Sequence, residues 1–352
     1  MIFGSPAFHI IRILFLGVFT SILAILLTPL LTHFLYKYSI RKQIRSDENA
    51  PVYMALHQKK EGTPTMGGIL IWGSTIFVTL LFFILSQVTN GFFGALNFLS
   101  RAQTWLPLGA MLGAALVGLG DDLLGVLRIG AKGGGLRMRE KIIIYTLIAL
   151  IGAWWFWAKL ERDSIFIPFF GVFSLGSWYP LFFVFVLVAT TFSMNEADGL
   201  DGLAGGISLI GFACLLVVAF SQGMYNLAAF LSVIAGSLVA FLWYNVYPAR
   251  FFMGDTGAMA LGITMGVVAM ITDTALFLPF FCFILVAESL SVIIQKIYRR
   301  IKKKKLFLST PIHHHFEAKG WPETKVTMRF WLIAGVVAVF GLALYFLDMF
   351  LV

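Results

Sequence analysis

The 352-residue chain is 59% hydrophobic and only 12% charged. Soluble domains carry about 25% charged residues, so this composition excludes an ordinary soluble protein. The formal net charge is +9, from 26 Lys and Arg against 17 Asp and Glu. Two cysteines, Cys214 and Cys282, lie inside apolar runs. They predict inert packing residues and no disulfide framework.

Apolar runs of about 20 residues are typical of transmembrane helices, and the chain contains ten candidates. The first is too long for a signal peptide and lacks a small-residue cleavage site. Several others are short or interrupted by glycine, which is typical of tilted or broken helices around a cavity. The predicted spans are Ile10–Tyr36, Gly67–Ser86, Trp105–Gly120, Ile142–Ala158, Pro180–Ser193, Leu203–Ser221, Asn226–Val246, Gly257–Thr272, Ala275–Gln295 and Phe330–Leu351.

The aromatic stretch Ile165–Trp178 contains Pro and Gly and is predicted to lie at the membrane interface instead of spanning it. The sequence contains no internal repeat. We therefore predict an all-α, polytopic membrane protein in which residues 1–352 form a single transmembrane domain.

Basic residues indicate which loops face the cytoplasm, because Lys and Arg concentrate there in membrane proteins. The connections after spans one, three, five, seven and nine hold 22 of the 26 basic residues. These loops are predicted to be cytoplasmic, with both termini outside. The run Lys302–Lys305 fits either a topology signal with attraction to anionic lipid headgroups or a role with an anionic substrate.

Five acidic residues fall at predicted helix ends on this cytoplasmic face. "GLGDDLLG" contains Asp121 and Asp122, "NEADGLDGLAGG" contains Asp198 and Asp201, and "FFMGDTGAMALG" contains Asp255. Carboxylates at a helix C-terminus oppose the macrodipole, so the first pair favours a nearby cation such as Mg²⁺, which prefers one or two carboxylates plus phosphate oxygens. A solvated helix end is the alternative.

The other acids have two interpretations each. Asp201 and Asp255 could cap the helices that follow them, or they could face a pocket. Asp198 and Asp201 are three residues apart, so one helical turn would place both on one face. The neighbouring glycines would let a ligand approach the backbone closely.

Further polar residues on this face fit an anionic ligand. "KKEGTPTMGG" offers Lys60 and Thr65, Phe252 could stack on a nucleobase, and Glu288 and Gln295 are polar groups at membrane depth beyond a kink predicted at Pro279. Each also has a structural alternative, as loop, core or ion-pair residue. The loop after Asp122 adds cations that are topogenic by default: Arg128, Lys132, Arg137, Arg139 and Lys141.

The stretch "PIHHHFE" places His313, His314 and His315 in succession. Its internal position excludes a purification tag, and adjacent side chains rarely converge on zinc in a tetrahedron. The histidines are therefore predicted to bring imidazoles to an acid-rich site of the Mg²⁺ type.

Five motifs in this order, "GTPTMGG", "GDD", "DGLDGLAGG", "NVYPARFFMGDTG" and "STPIHHHFEAKG", resemble the phospho-N-acetylmuramoyl-pentapeptide transferase (MraY) family over roughly residues 30–350. "DGLDGL" and "FMGDTG" are shared across the wider polyprenyl-phosphate N-acetylhexosamine-1-phosphate transferase superfamily. The resemblance implies transfer of phospho-MurNAc-pentapeptide from its UDP carrier to undecaprenyl phosphate, giving lipid I and UMP in peptidoglycan synthesis.

The resemblance also implies a Mg²⁺ cofactor, a cleft on the cytoplasmic face of the bacterial inner membrane, contact with membrane lipids, a homodimer and no nucleic-acid partner. It makes Asp255 the Mg²⁺ ligand and Asp121 a base or phosphate-positioning group supported by Asp122. The histidines would contact phosphates or sugar, and Phe252 would stack on uracil. The other substrate-pocket residues it implies are Asn195, Asp198, Asp201, Lys60, Thr65, Asn245, Gln295, Lys132 and Arg139.

The chain departs from the family pattern at three places. Gly125 replaces a frequent lysine, the following glycine-rich loop is about two residues longer, and Glu196-Ala197 is more acidic than expected. A sister transferase that uses UDP-GlcNAc is the nearest alternative, which the "PIHHHFE" loop disfavours. A secondary transporter is the other, although its site would lie near the bilayer midplane.

Overall fold

A computed structural model describes residues 5–38, 40, 60, 62–89, 91–101, 103–130 and 134–351. Helices dominate this part of the chain, and one two-stranded hairpin is present. The helices are α1 Pro6–Lys37, α2 Gly68–Val88, α3 Phe92–Ala95, α4 Trp105–Val126, α5 Met138–Trp154, α6 Tyr179–Ala197, α7 Leu203–Ser221, α8 Tyr225–Asn245, α9 Gly254–Ile271, α10 Leu278–Phe281, α11 Phe283–Lys302, α12 Ile312–Ala318 and α13 Glu323–Leu351. The strands are β1 Ser164–Ile167 and β2 Gly171–Ser174.

The membrane-spanning character of the fold is confirmed. Nine helices of the described ranges are long and apolar enough to cross a bilayer, and the bent pair α10–α11 adds a tenth crossing if it counts as one span. The 32 residues of α1 rise about 48 Å, more than the ~30 Å hydrocarbon core. Large apolar side chains such as Leu26, Leu332 and Val336 point away from the bundle, as expected for a lipid-facing surface.

Helix α9 is the centre of the bundle. Nearly all of its side chains are buried, and it packs mainly against α4, α6 and α2. Glycines allow the closest approaches: a Cβ on Gly118 of α4 would collide with the backbone of Asp255 and Thr256. Thr256 also donates its hydroxyl to the carbonyl of Ala115 at 2.8 Å. These contacts fix the start of α9 against the end of α4.

The end of the bundle where α4 and α6 finish and α9 begins is called the acidic end below. At the opposite end, β1 and β2 form an antiparallel hairpin with Ile165 opposite Phe173. The backbone N–H of Phe169, in the hairpin turn, donates to the buried carboxylate of Asp348 at 3.0 Å. The stretch predicted to be interfacial therefore does not span, and it is tied to the last turn of α13.

Most predicted spans agree with the helices to within a few residues, and Leu203–Ser221 agrees at both ends. Four details differ. Helix α11 ends at Lys302, seven residues after the predicted end at Gln295. Helix α4 continues to Val126, so the Asp121–Asp122 pair lies inside its last turns. Helix α13 starts seven residues before Phe330. The 92° bend in the ninth span lies at Cys282 and not at Pro279, because proline is compatible with the first turn of a helix.

We predict that Gly118→Ala lowers the melting temperature of the purified protein, because the added methyl group overpacks the α4–α9 contact at a cost of about 1–3 kcal/mol. Gly113→Ala on the same helix is the matched control, since nothing lies within 4 Å of its Cβ position. That control should be neutral or stabilising, as alanine favours helix over glycine. Equal melting temperatures for the two variants would contradict the close packing of α4 on α9.

Candidate functional site

Carboxylates from two other helices cap the N-terminus of α9. Asp122 of α4 accepts from the N–H groups of Asp255 at 3.1 Å and Thr256 at 3.0 Å. Asp198, which follows α6, accepts from the N–H of Gly254 at 3.2 Å. Helix N-termini leave backbone N–H groups without intrahelical acceptors and attract negative charge. Three of these donors are therefore satisfied across the bundle.

The backbone at Gly254 requires glycine. Its φ is +75°, and a Cβ there would run into the carboxylate of Asp122 and the hydroxyl of Thr65. Any larger residue would both strain this turn and displace the capping carboxylate. The glycine in "FMGDTG" thus permits the close approach that holds Asp255 in place.

Lys141 lies between the two remaining carboxylates of this cluster. Its Nζ is 2.8 Å from Oδ2 of Asp121 and 2.7 Å from Oδ1 of Asp255. The other oxygen of Asp121 accepts from the N–H of Leu136 at 2.5 Å, which ties the loop before α5 to α4. Asn195 of α6 donates its side-chain amide to Oδ1 of Asp255. Asp121, Asp122, Asp198 and Asp255 therefore form one cluster, called the carboxylate cluster below, with Lys141 as its cation.

A second polar group forms around Lys60, whose Nζ is 2.7 Å from Oδ1 of Asp201 and 2.5 Å from Oε1 of Glu323. The other carboxylate oxygen of Asp201 accepts from the N–H of Ala249 at 3.0 Å. The ring centroid of Phe252 is 5.8 Å from Nζ of Lys60. This arrangement brings together a cation, two acids and an aromatic ring. Asp201 does not cap α7, whose N-cap is Gly202, and Asp255 gives α9 no side-chain cap.

The histidines lie in the short helix α12. Nδ1 of His313 is 2.9 Å from Oε2 of Glu288, and both side chains are 0% exposed. Nδ1 of His314 is 2.6 Å from Oε2 of Glu317. A Cβ on Gly199 would meet the ring of His313, so this imidazole packs directly on the "DGLDG" turn. Nδ1 of His315 instead accepts from the N–H of Leu308 at 3.1 Å.

The three imidazoles therefore occupy different electrostatic environments. Burial opposes protonation of His313, but the adjacent Glu288 carboxylate outweighs burial and the net effect raises the pKa of His313 above its ordinary value. Partial burial and the nearby Lys319 lower the pKa of His315. The pKa values of His313 and His315 are therefore shifted in opposite directions, and Nδ1 of His315 accepts a loop N–H.

Some predicted site residues bind the backbone. Asn245 accepts from the N–H of Gly202 at 3.0 Å and donates to the carbonyl of Phe251 at 2.8 Å. Gln295 accepts from the N–H groups of Leu306 and Phe307 and donates to the carbonyl of Phe307. Both side chains thereby hold the chain segments that surround the site, and their predicted contacts with substrate stay predictions.

Three predicted site residues remain, namely Thr65, Arg139 and Lys132. Thr65 is buried next to Gly254, and its hydroxyl has no hydrogen-bond partner within the described residues. Arg139 is exposed in the first turn of α5 and makes no ion pair with a described carboxylate. Lys132 lies outside the described residues.

Several residues outside the predicted set also belong to this site. The sequence predicted Lys141 only as one of the loop cations. It directly precedes an apolar run, and in the fold its side chain is buried near the start of α5. Tyr145, one turn further along α5, is fully buried with no partner for its hydroxyl among the described residues. Glu323 follows Pro322 at the start of α13. A proline followed by an acidic residue is typical of a helix N-terminus, and this is the sequence signal that could have identified Glu323.

The sequence predicts that Mg²⁺ binds at this site. The described residues contain no group of three or more His, Cys, Asp or Glu side chains that could hold a metal ion by themselves. Mg²⁺ usually takes one or two carboxylates and completes its shell with water and substrate phosphate. Asp255 and Asp121 share one ammonium group at 2.7 and 2.8 Å, so a cation is already favoured between them. The residues fit Mg²⁺ held with a phosphate ligand.

Comparison with known proteins gives consistent results. The sequence profile described as glycosyl transferase family 4 matches residues 104–273, which include the whole carboxylate cluster. Residues 60–71 match phospho-N-acetylmuramoyl-pentapeptide-transferase signature 1. Proteins of that name are 36% identical in Clostridium novyi (strain NT), covering 89% of this chain and 90% of the relative, and 37% identical in Moorella thermoacetica, covering 93% and 96%. The relative from Chloroflexus aggregans is 35% identical over 95% of this chain and 89% of its own length.

The fold and this match define a polytopic membrane transferase. Identities above 30% over nearly the whole length of both proteins identify the group within that class. The chain belongs to the phospho-N-acetylmuramoyl-pentapeptide-transferase family.

We predict that Glu288→Gln destabilises the protein most at low pH. A histidine whose pKa is raised by folding stabilises the fold below its unfolded pKa of about 6.5, and this contribution is lost as pH rises through the folded value. The difference in unfolding free energy between wild type and Glu288→Gln should be about 2 kcal/mol at pH 6 and should shrink toward pH 9. Melting curves across this range measure it.

His315→Gln is the control with the opposite sign. Folding lowers the pKa of His315, so its contribution is present above pH ~6.5 and is lost as pH falls through the folded value. A difference for Glu288→Gln that does not change with pH would contradict the charged His313–Glu288 pair.

Proposed function

We propose that the protein transfers phospho-MurNAc-pentapeptide from UDP-MurNAc-pentapeptide to undecaprenyl phosphate, giving lipid I and UMP in peptidoglycan synthesis. A phosphate oxygen of the lipid acceptor forms a new P–O bond to the sugar-linked phosphorus of the donor. The P–O bond of the pyrophosphate breaks, and UMP leaves. Family membership supports this reaction, and the carboxylate cluster with Lys141 at the start of α9 is the observation that carries it.

The chemistry of phosphoryl transfer depends on positioning and on neutralising charge, with little covalent work left to the protein. Lys141 is held by two carboxylates, which leaves one of its three ammonium hydrogens for a phosphate oxygen. Asp121 binds both Lys141 and the N–H of Leu136 in the loop before α5, so it positions this cation. Asp121 is also the candidate base. His313 adds an imidazole whose pKa is raised by Glu288, which suits a phosphate or sugar oxygen next to the "DGLDG" turn.

The nucleotide is proposed to bind next to this cluster, between Lys60, Asp201 and Phe252. The ring of Phe252 would stack on uracil, a contact that any π-face tolerates. Asn195 and Asp198, which bind Asp255 and the N–H of Gly254, are proposed to line the same pocket. Thr65 offers a buried hydroxyl without a partner in the described part of the chain.

Mg²⁺ is part of the proposal, with Asp255 as its protein ligand and Asp121 next to it. When bound, the ion would supply neutralisation of the charge that develops on the transferring phosphates. Lys141 would then share Asp255 with the metal, while Asp122 and Asp198 keep α9 in place through its backbone.

The acidic end is proposed to face the cytoplasm of a bacterial inner membrane, with both chain termini outside and the enzyme as a homodimer. The basic loops at this end support the orientation. The donor is water-soluble and anionic, whereas the acceptor arrives from the bilayer. A site at the membrane boundary serves both.

The proposal is tested by UMP release from purified protein, UDP-MurNAc-pentapeptide, undecaprenyl phosphate and Mg²⁺. We expect Asp255→Asn to reduce the rate by about a thousandfold, equivalent to roughly 4 kcal/mol. Mg²⁺ with donor should raise the melting temperature of the wild type but not of this variant, because ligands stabilise only the state that binds them.

Asp163→Asn is the matched control, since Asp163 precedes the hairpin at the opposite end and contacts Ser174. It should retain activity and the Mg²⁺ response. Full activity in Asp255→Asn would exclude the metal-ligand role, and release of UMP from UDP-GlcNAc but not from the MurNAc donor would favour a sister transferase.

The orientation can be tested by labelling an introduced cysteine with a membrane-impermeant maleimide. Ser309→Cys, before α12 at the acidic end, should react in inverted vesicles and not in intact cells. Ser174→Cys in the hairpin should show the reverse pattern. The native Cys214 and Cys282 are buried, so background labelling should be low. Labelling of Ser309→Cys in intact cells would overturn the orientation.

A further inference from the structure

An open cavity lies at the acidic end, on the outside of the bundle. Its volume is about 710 Å³, and it is lined by Pro29, Thr32, His33, Tyr36, Lys37 and Arg250. The first five recur at intervals of three and four residues, so they form one face of the last turns of α1. Arg250 comes from the loop that connects α8 and α9.

The cavity is basic. Three of its side chains carry or can carry positive charge, and none of its six is acidic. His33, Lys37 and Arg250 make no ion pair with any carboxylate in the described ranges. The guanidinium of Arg250 lies 5.5 Å from the ring centroid of Tyr244, and Nζ of Lys37 lies 5.6 Å from that of Tyr38. Two fixed cations therefore line one opening, and no carboxylate of the described residues forms an ion pair with either.

The cavity lies at the expected membrane boundary. Leu26 is 70% exposed and Leu30 is 57% exposed on the preceding turns of α1, which places these side chains in hydrocarbon. Lys37 is in the last turn of the helix, where cations are favoured and where a spanning helix reaches the headgroups. A ligand in the cavity would thus contact cations with one end and apolar side chains with the other.

The cavity also adjoins the site described above. The hydroxyl of Tyr36 donates to the carbonyl of Arg250 at 3.2 Å, and the preceding N–H, that of Ala249, donates to Asp201. The N–H of Phe252 donates to the carbonyl of Pro64 at 2.8 Å. The loop between α8 and α9 therefore has the cavity on one side and the proposed nucleotide pocket on the other.

We propose that this cavity binds the headgroup of an anionic glycerophospholipid, with the phosphate between Lys37 and Arg250 and an acyl chain along Leu30 and Leu26. Basic pockets at the membrane surface favour anionic headgroups, and bound lipid would brace the loop that carries Phe252. The proposal rests on the proposed function only for the leaflet, which the orientation assigns as the cytoplasmic one. Lipid binding is measured without turnover, so its failure is distinct from failure of the transferase.

The test is native mass spectrometry of the delipidated full chain titrated with phosphatidylglycerol, with phosphatidylcholine as the neutral probe. We expect wild type to bind one phosphatidylglycerol at least tenfold more tightly than phosphatidylcholine. The double variant Lys37→Gln/Arg250→Gln should lose this preference. Lys304→Gln/Lys305→Gln removes the same charge from the basic run after α11 and should keep it.

A steric variant separates shape from charge. Thr32→Trp fills the cavity and keeps both cations, and it should also abolish the preference. Melting temperatures confirm that each variant is folded. Equal loss in the Lys304/Lys305 control would mean general attraction of lipid to positive charge and would overturn the proposal.

Other occupants of the cavity give different results. Binding of inorganic phosphate alone, at the affinity of the lipid, would show that no acyl chain is required. Loss of dimers in Lys37→Gln/Arg250→Gln with unchanged lipid binding would assign the cavity to a second copy of the chain. A raised KM for undecaprenyl phosphate with unchanged phosphatidylglycerol binding would assign it to the acceptor. Each of these outcomes overturns the proposal.

Discussion

The capping of α9 by carboxylates from other helices is the interaction on which the rest of the site depends. Asp122 and Asp198 accept from three successive N–H groups at Gly254, Asp255 and Thr256. The start of α9 is packed inside the bundle, where an unsatisfied buried N–H is costly. The same bonds join α4, the end of α6 and α9 at one point. The position of Asp255 therefore follows from backbone requirements as well as from chemistry.

This capping also resolves a conflict in the sequence. Two adjacent acids near the C-terminus of α4 oppose that helix's dipole, which suggests that a cation must offset them. In the structure, two different groups stabilise the two carboxylates. The partial positive charge at the start of α9 stabilises Asp122, and the ammonium group of Lys141 stabilises Asp121. Polar groups within a bilayer need such partners, and here each partner comes from a different helix.

The sequence was sufficient for the fold class and the spans, because long apolar runs are a local property. It was also sufficient to gather the acids at one end, since the basic loops indicate which helix ends share a face. Pairings between helices are not local and were not predicted: Lys141 with Asp255, His313 with Glu288, and Lys60 with Glu323. Asn245 illustrates the limit. Its motif suggested substrate, but in the fold both ends of its amide bind backbone, a use that depends on tertiary contacts.

The balance of charge at the carboxylate cluster gives the strongest reason for including a divalent cation in the proposed mechanism. Among the described residues, the cluster combines four carboxylates with the ammonium group of Lys141, which contacts Asp121 and Asp255, while backbone N–H groups of α9 bind Asp122 and Asp198. Asp121 and Asp255 share the ammonium group of Lys141 and also accept neutral hydrogen bonds, from the N–H of Leu136 and the side-chain amide of Asn195 respectively. A donor pyrophosphate would add further negative charge, which Lys141 alone cannot balance in a partly desolvated site. This charge balance supports the proposal that Mg²⁺ accompanies the anionic substrate, with Asp255 at the capped start of α9 as its proposed ligand.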